Sequence, residues 1–232
     1  MPTSTDSSPR SPPSVPDRLI AVAGTGTDIG KTWITATLAE RLRADGVRVA
    51  ARKPAQSFAD TDAPETRDAS VLAAATGERP DDVCPPHRNY ERALAPPMAA
   101  AALGRPPITL DELIAEIAWP DGVELGFVET AGGVRSPIAD DADNVGLIDA
   151  IAPDLVVVVA DPELGTLNLV RLTVGALAAH RCLVVLNRFD ARNDLHLANH
   201  RWLTERDGLE VVTSVEQLLV SLDVRGAGRA RR

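Results

Sequence analysis

The feature that most constrains the fold is a glycine-rich loop between a short apolar run and a helical pattern. Residues 24–32 read Gly-Thr-Gly-Thr-Asp-Ile-Gly-Lys-Thr, directly after the apolar residues 19–23. Apolar side chains then recur at helical spacing from Lys31 to the glycine at position 46. A strand, a glycine-rich loop ending in Gly-Lys-Thr and a helix, in that order, form a P-loop, whose backbone N–H groups bind phosphates. The sequence therefore predicts a nucleotide-binding α/β domain.

Two side chains of the loop carry its expected chemistry. Lys31 supplies a positive charge for the β and γ phosphates, and the hydroxyl of Thr32 is a ligand for Mg²⁺. The general pattern has its first glycine at the position of Thr25, whereas here that glycine stands one residue earlier, at Gly24. A glycine-rich turn that only caps the helix is the simpler alternative.

Short β-branched runs alternate with longer helical patterns through the middle of the chain. This alternation predicts an α/β fold of the P-loop type, with three layers and a mostly parallel central sheet flanked by helices. The predicted strands are residues 19–23, 47–53, 125–129, 155–160, 182–187 and 209–212. The predicted helices are residues 31–44, 67–76, 110–118, 167–179 and 194–205. Residues 60–107 show no obvious strand, and we expect a helical excursion over the carboxyl ends of the strands.

The two ends of the chain differ in composition from its middle. Residues 1–17 contain five prolines and five serines, which predicts a disordered leader. Four arginines stand among residues 225–232, which predicts a basic, flexible tail. Residues 18–224 are expected to form a single P-loop domain.

Composition excludes several classes of function. The net charge of −9 argues against a nucleic-acid-binding surface, which normally carries a basic face. The sequence has neither an apolar run of 18 residues nor a signal-peptide pattern, so we expect a cytoplasmic protein without a membrane partner. Cys84 and Cys182 match no zinc-ligand or C-x-x-C spacing and are expected to be ordinary buried thiols.

Charged side chains also follow two of the other predicted strands. Lys53 opens the segment Lys-Pro-Ala-Gln-Ser, and Glu129 opens the segment Glu-Thr-Ala-Gly-Gly. A second lysine near a transferred phosphoryl group would stabilise charge in the transition state, although a lysine at a strand end is often simply solvated. A carboxylate at the tip of a neighbouring strand is an expected anchor for Mg²⁺.

Taken together, these segments resemble the dethiobiotin synthetase family. The resemblance covers nearly the whole core and rests on the order G-T-x-T-x-x-G-K-T, K-P-x-x-S, E-x-A-G-G, L-G-T-L-N and a late strand that ends in Asn. It implies an ATP-dependent ligase of biotin biosynthesis that uses Mg²⁺ and makes residues 18–224 a synthetase domain. In that family, CO₂ carbamates one amine of 7,8-diaminopelargonic acid, and the carbamate oxygen attacks the γ-phosphate of ATP. The second amine then closes the ureido ring and expels phosphate, leaving ADP.

The resemblance also implies a homodimer that acts on small molecules, with roles for individual residues. Catalytic roles fall to Lys31, Lys53 and Thr25. Nucleotide contacts fall to Thr27, Asp28, Ile29, Gly30, Lys31, Thr32, Trp33 and Asn187. Substrate contacts fall to Ser57, Gly132, Gly133 and Asn168, and Mg²⁺ would be held by Thr32, Asp68 and Glu129.

Three of these residues also fit purely structural roles. Asp68 suits the first turn of a helix, Asn187 the end of a strand, and Asn168 the N-cap of the helix that follows it. The sequence also departs from the family in two places. Residues 134–137 place an extra cation, Arg135, near the site, and residues 211–216 lack the family's Gly-x-Ile-Pro turn, which leaves the nucleotide base open.

Three alternatives remain at this point. One is a related amide-forming ligase, which a glutamine-hydrolysing domain would accompany. Another is a P-loop ATPase switch of the partitioning type. Those switches usually carry an additional lysine early in the loop, and residues 24–29 contain none. The last is a synthetase-like protein that has lost its activity.

Overall fold

The computed structural model of the chain describes residues 14–222. Most of the predicted leader and all of the predicted tail, residues 225–232, lie outside the described residues. Residues 14–17 of the predicted leader are described, and they contact the domain. The hydroxyl of Ser14 donates to the carbonyl of Trp119 at 2.6 Å, and the backbone N–H of Asp17 donates to the carbonyl of Val123 at 3.1 Å.

Six strands form the central sheet, and all five of its strand pairings are parallel. The strands lie side by side in the order β2 (Val49–Arg52), β5 (Leu125–Glu129), β1 (Arg18–Gly24), β6 (Leu155–Ala160), β7 (Cys182–Leu186) and β8 (Val211–Val212). The strand that leads into the phosphate loop, β1, is therefore central. A parallel sheet that is covered on both faces is the predicted P-loop α/β architecture, which is therefore confirmed.

Nine α-helices accompany the sheet within residues 14–222. They are α1 (Lys31–Ala44), α2 (Asp68–Thr76), α3 (Pro80–Val83), α4 (Pro96–Ala102), α5 (Leu110–Glu116), α6 (Asn144–Ile151), α7 (Thr166–Ala176), α8 (Asp194–Arg201) and α9 (Val215–Leu222). Short 3₁₀ turns cover Pro64–Thr66 and Pro86–Arg88, and a π-helical turn, Trp202–Arg206, continues α8. All five predicted helices are present, α1 with the predicted bounds and the other four with ends that shift by one to four residues, whereas α6 and α9 were missed.

The expectation that residues 60–107 contain no strand is wrong. Asn89–Tyr90 forms a two-residue strand, β4, which pairs in parallel with another, β3, at Gln56–Ser57. The side-chain amide of Gln56 donates to the side-chain oxygen of Asn89, and Tyr90 is almost fully buried. Two residues are too few to show strand periodicity, which explains the miss.

Helices cover both faces of the sheet. On one face, Ile20 and Val22 of β1 pack in one apolar cluster with α1, α2 and α9. On the other face, Ala21 and Ala23 pack with α6 and α7. Alternating side chains of one strand therefore enter two separate cores, as the pleat of a strand requires. No helix in the described part of the chain is both long enough and apolar enough to span a bilayer.

Candidate active site

The phosphate loop connects β1 to the first turn of α1 and is fixed at both of its ends. The N–H of Thr25 donates to the carbonyl of Val159, which fastens the start of the loop to β6. Gly30 precedes the helix with φ +94°, and a Cβ atom at this position would clash with the side-chain nitrogen of Asn187. Glycine is therefore required here by both backbone conformation and space.

The ammonium of Lys31 lies inside the loop. The residue is 7% exposed, and its Nζ donates to the carbonyl of Gly26 at 2.8 Å. Burial, reinforced by the positive charge of Lys53, lowers the pKa of Lys31 to about 8, even though Glu129 and Asp68 act in the opposite direction. A buried ammonium with a lowered pKa is stabilised by a nearby anion, so this environment favours a bound polyphosphate.

Lys53, which directly follows β2, contacts two of the predicted metal ligands, Asp68 and Glu129. Its Nζ donates to Asp68 Oδ2 at 2.7 Å, to Glu129 Oε1 at 2.8 Å and to the carbonyl of Thr130 at 3.1 Å. Burial alone would lower the pKa of Lys53, but the two carboxylates outweigh it and raise that pKa above its ordinary value. An ammonium has three N–H groups, so all the donors of Lys53 are in use.

Three oxygen atoms converge beside this lysine in a way that suits Mg²⁺. The hydroxyl oxygen of Thr32 lies 2.8 Å from Asp68 Oδ1 and 2.8 Å from Glu129 Oε1. The single proton of the hydroxyl can be donated to only one of these carboxylates at a time, so hydrogen bonding accounts for one of the two short distances. Both distances are close to the ~3 Å that separates neighbouring oxygen ligands of an octahedral ion with bonds of ~2.1 Å. The predicted metal ligands Thr32, Asp68 and Glu129 therefore fit a magnesium site.

This donor set is typical of Mg²⁺ that is shared with a nucleotide. Within residues 14–222, no group of three or more His, Cys, Asp or Glu side chains could enclose a metal ion. Magnesium in phosphoryl-transfer sites is commonly held by one or two carboxylates, with phosphate oxygens and water completing the octahedron. Burial would raise the pKa of Asp68, but the Lys53 ammonium and the Thr32 hydroxyl hold it below its ordinary value, so the carboxylate stays ionised.

Thr35 is a site residue that sequence reasoning missed. Its side chain is fully buried, and its hydroxyl lies 2.9 Å from both the carbonyl of Lys31 and Glu129 Oε2. Thr35 therefore fixes the orientation of the Glu129 carboxylate. The sequence could have indicated this role, because Thr35 stands four residues after Lys31 and therefore lies on the same face of α1.

A cleft of about 800 Å³ opens beside the carboxyl ends of β1, β2 and β5. Nine of the predicted site residues line it: Thr27, Asp28, Gly30, Lys31, Thr32, Lys53, Ser57, Asp68 and Gly132. Glu129 is buried next to the cleft, in contact with Thr32 and Lys53. The cleft lining does not include Thr25, Ile29, Trp33, Gly133, Asn168 or Asn187.

Asn187, which directly follows β7, is hydrogen-bonded to the phosphate loop. Its Nδ2 donates to the carbonyl of Ile29 at 2.8 Å, and its backbone N–H donates to the carbonyl of Ala160. The following residue, Arg188, has φ +60° and lines the cleft. Its guanidinium donates to the carbonyl of Asp28 and pairs with Asp161. Arg188 was missed because only the folded structure brings it to the loop.

The glycine loop after β5 is held by Asn144, another residue that the sequence did not single out. The Nδ2 of Asn144 donates to the carbonyls of Ala131 at 2.7 Å, Gly133 at 2.9 Å and Ser136 at 3.2 Å. Gly132 has φ +73°, so this turn needs a residue without a side chain. Arg135, expected as an extra cation near the site, instead pairs with Asp143 and does not line the cleft.

Asn168 lies away from the cleft. Helix α7 begins at Thr166 with Gly165 as its N-cap, so the capping role considered for Asn168 is wrong. The residue is exposed in the first turn of this helix. Three exposed leucines belong to the same region, at 89%, 46% and 65% exposure: Leu164, Leu169 and Leu172.

Comparisons with known proteins cover most of the chain. A family model described as an AAA domain matches residues 18–222. A Caulobacter vibrioides protein named ATP-dependent dethiobiotin synthetase BioD is 44% identical over 151 residues, 62% of this chain and 67% of that protein. The protein of the same name from Haloferax mediterranei is 38% identical over 198 residues, 83% and 82% of the two chains. The cell division ATPase MinD of Pyrococcus furiosus, 20% identical, aligns with a TM-score of 0.50 over 85% and 83%, a likeness of fold alone.

Proposed function

Because the chain belongs to the family of ATP-dependent dethiobiotin synthetases, we propose that it closes the ureido ring of dethiobiotin from 7,8-diaminopelargonic acid and CO₂. ATP is the co-substrate, and ADP and phosphate are the other products. The observation that carries this proposal is the contact of Lys53 with Asp68 and Glu129, beside Thr32 and in the same cleft as Lys31. Such a cluster combines metal ligands and two cations at the place where a phosphoryl group would be transferred.

The phosphate loop would bind and orient the nucleotide. Lys31 is partly desolvated, so its charge acts on the phosphates with little screening by water. Asn187 would hold the loop by its bond to Ile29, in addition to the contact with the base that the family resemblance implies. Mg²⁺, when bound to Thr32, Asp68 and Glu129, would neutralise charge on the β and γ phosphates.

Lys53 is suited to the carbamate end of the reaction. The carbamate oxygen would attack the γ-phosphorus, and the second amine would then attack the carbamate carbon and displace phosphate. An ammonium beside the attacking oxygen stabilises both the carbamate anion and the transferred phosphoryl group. Because its three N–H groups are already engaged, Lys53 would have to release one present acceptor to bind the carbamate.

The remaining substrate contacts come from two sides of the cleft. Ser57 lines the cleft, and its buried hydroxyl has no hydrogen-bond partner among the described residues, so it is available to an oxygen or nitrogen of the substrate. Thr25 and the backbone of Gly132 and Gly133 would border the carbamate. Asn168 lies outside the cleft of its own chain, which supports a contribution to a partner's site across a homodimer interface.

The proposal also covers the oligomeric state of the enzyme, its location in the cell and the base of its nucleotide. The exposed leucines around Asn168 supply an apolar surface for a homodimer, and the absence of a membrane-spanning helix among residues 14–222 agrees with a cytoplasmic enzyme. The shared name of the relatives supports ATP as the nucleotide. The segment from Val211 onward departs from the family turn, so the preference for adenine is a specific point for measurement.

The test is phosphate release by the full chain with Mg²⁺, ATP and bicarbonate, with and without 7,8-diaminopelargonic acid, followed by mass analysis of the product. We expect release that depends on the diamine and a product with the mass of dethiobiotin. Lys31→Ala and Thr32→Ala should each abolish turnover, because each removes charge stabilisation or metal placement. Hydrolysis that ignores the diamine would refute the proposal and favour an ATPase switch.

A further inference from the structure

Arg67 lines the cleft but has no role in the site described so far. It precedes Asp68 directly, at the N-terminus of α2. Its Nε is buried without a hydrogen-bond partner, and within residues 14–222 its guanidinium forms neither a hydrogen bond nor an ion pair. A buried cationic donor left without an acceptor is unfavourable, and such groups are uncommon in folded proteins.

The position of this guanidinium is fixed by an aromatic ring. Its Cζ lies 3.9 Å from the centroid of the Phe58 ring, and Phe58 is 6% exposed. A guanidinium stacked on a ring is preorganised, because its plane and the direction of its N–H groups are set before a ligand arrives. Arg67 is therefore held toward the cleft by packing rather than by an acidic partner.

A second buried polar group without a hydrogen-bond partner belongs to the residue that precedes Phe58. Ser57 precedes Phe58, lines the cleft, and has a buried hydroxyl without a partner among the described residues. Four of the side chains that line the cleft are cations. Lys31 donates to Gly26, Lys53 pairs with Asp68 and Glu129, and Arg188 pairs with Asp161. Among these four cations, Arg67 alone has no acceptor from the described residues for any of its N–H groups.

We propose that Arg67 binds an oxyanion in the cleft, together with the hydroxyl of Ser57. The shared chemistry is a planar or tetrahedral group of oxygens, which the guanidinium contacts through two parallel N–H groups. Two sources within the proposed reaction carry such oxygens, the carboxylate or carbamate of the organic substrate and the γ-phosphate of the nucleotide. This inference rests on the proposed function for the identity of the oxyanion, and it makes Arg67 a binding residue of the reaction.

The experiment compares the wild-type chain with Arg67→Gln, Arg67→Lys and Ser57→Ala. The matched control is Arg201→Gln, which removes the same charge from an exposed residue at the end of α8. Kinetics give KM for the diamine and for ATP. Calorimetry gives the affinity for a non-hydrolysable ATP analogue with Mg²⁺. Melting temperatures within a few degrees of the wild type establish that each variant is folded.

We expect Arg67→Gln to change one binding constant by about 10- to 100-fold, because a hydrogen bond to a charged group is lost. Arg67→Lys should recover only part of this effect, since lysine keeps the charge but not the two parallel donors. Ser57→Ala should weaken binding of the same ligand. Arg201→Gln should leave both KM values and the affinity for the analogue within about twofold of the wild-type values.

The constant that changes identifies the source of the oxyanion. A higher KM for the diamine with an unchanged affinity for the analogue assigns it to the organic substrate. A weaker affinity for the analogue assigns it to the phosphate. If wild-type enzyme makes dethiobiotin and Arg67→Gln leaves every constant unchanged, the inference is wrong while the proposed function stands. If the wild type makes no product, the proposed function fails, and an unchanged affinity of Arg67→Gln for the analogue then overturns the inference as well.

Discussion

Lys53 holds two carboxylates together in a region almost closed to water. Its side chain is 3% exposed and that of Glu129 is 0% exposed, so this ion pair is poorly screened. Removing one partner of a buried pair leaves an uncompensated charge, which costs far more than the loss of a surface pair. The contribution of Lys53 to stability is therefore tied to the presence of another cation at the same carboxylates.

We expect Lys53→Ala to lower the free energy of unfolding by about 3–5 kcal/mol in the presence of a chelator. Millimolar Mg²⁺ should restore more stability to this variant than to the wild type, because the ion then becomes the main cation beside Asp68 and Glu129. Thermal or urea unfolding with and without Mg²⁺ measures both effects, independently of activity.

The control for that prediction is Arg41→Ala, whose partner is Glu216. Both side chains are more than half exposed, so removing the pair should cost less than about 1 kcal/mol and should not respond to Mg²⁺. An equal gain from Mg²⁺ in the wild type and in Lys53→Ala would contradict the assignment of the metal site.

The two cysteines provide a pH-dependent prediction. Burial raises the pKa of Cys84 to about 12 and that of Cys182 to about 11, so both thiols stay protonated at neutral pH. Because the thiolate is the reactive form, alkylation of the native protein by iodoacetamide should be slow at pH 8. The rate at Cys182 should rise about tenfold per pH unit up to about pH 10, whereas unfolded chain should level off near pH 9. Mass spectrometry reads both sites. Cys84 is buried as expected, whereas Cys182 is only half-buried, and fast labelling of either thiol in native protein at pH 8 would contradict the raised pKa values.

Among individual residues, the predicted site residues that come together in the structure are those that the sequence placed at the ends of predicted strands or helices. Thr32, Lys53, Asp68 and Glu129 converge because each stands at the end of a strand or the start of a helix. The parallel sheet brings such ends to one edge. Asn144, at the start of α6, and Arg188, just after β7, contact the site only once the chain is folded, and no motif in their own segments singled them out.

At the scale of elements, α6 is joined to the glycine loop by the side chain of Asn144. This residue is fully buried in the first turn of the helix, and its amide serves the carbonyls of three loop residues. Helix α6 also has a capping side chain, because Asp143 accepts from the N–H of Gly146. The helix thereby fixes the backbone that is proposed to border the carbamate.

We expect Asn144→Ala to destabilise the protein by about 1–3 kcal/mol for each carbonyl that loses its donor without gaining water. It should also lower kcat/KM for the diamine, because the loop from Ala131 to Ser136 would no longer be fixed. Urea unfolding and steady-state kinetics measure the two effects. Asn168→Ala is the control for stability, since an exposed helical position should change by no more than ~0.5 kcal/mol. Equal stability of both variants would show that Asn144 does not hold the loop.

The elements that sequence analysis found are those with a strong periodic or apolar signal. Strands β1, β5 and β6 are buried throughout most of their length, and their apolar runs match the observed bounds closely. The missed helices α6 and α9 have only eight residues each. Such short helices depend on their caps and on packing more than on periodicity. The ends of α7 and α8 shifted because a helix can continue or stop by one turn with little change in sequence pattern.

For the whole molecule, the proposed homodimer rests on exposed leucines in α7 and in the turn that precedes it. Leu164, Leu169 and Leu172 are 89%, 46% and 65% exposed and stand within nine residues of one another. Large apolar side chains grouped on a surface favour association with another chain. The same region contains Asn168, so the interface and a substrate contact would coincide.

We expect Leu172→Asp to break this association, because a carboxylate would be buried in an apolar interface. Light scattering after size exclusion should give about twice the 24.6 kDa chain mass for the wild type and a single chain for the variant. The control is Val220→Asp, which changes an 80% exposed residue of α9. A wild-type protein that stays monomeric at micromolar concentration would contradict the dimer.

The central claim is that a single cleft binds both ATP and the carbamate of the diamine, and that the γ-phosphoryl group of ATP is transferred there to a carbamate oxygen. The most direct measurement supplies bicarbonate labelled with ¹⁸O, together with Mg²⁺, ATP and 7,8-diaminopelargonic acid, and determines by mass where the label goes. Because a carbamate oxygen attacks the γ-phosphorus and leaves with it, the account predicts about one ¹⁸O atom in each released phosphate and one in the ureido carbonyl. Phosphate without label, or label that appears in the absence of the diamine, would contradict the account.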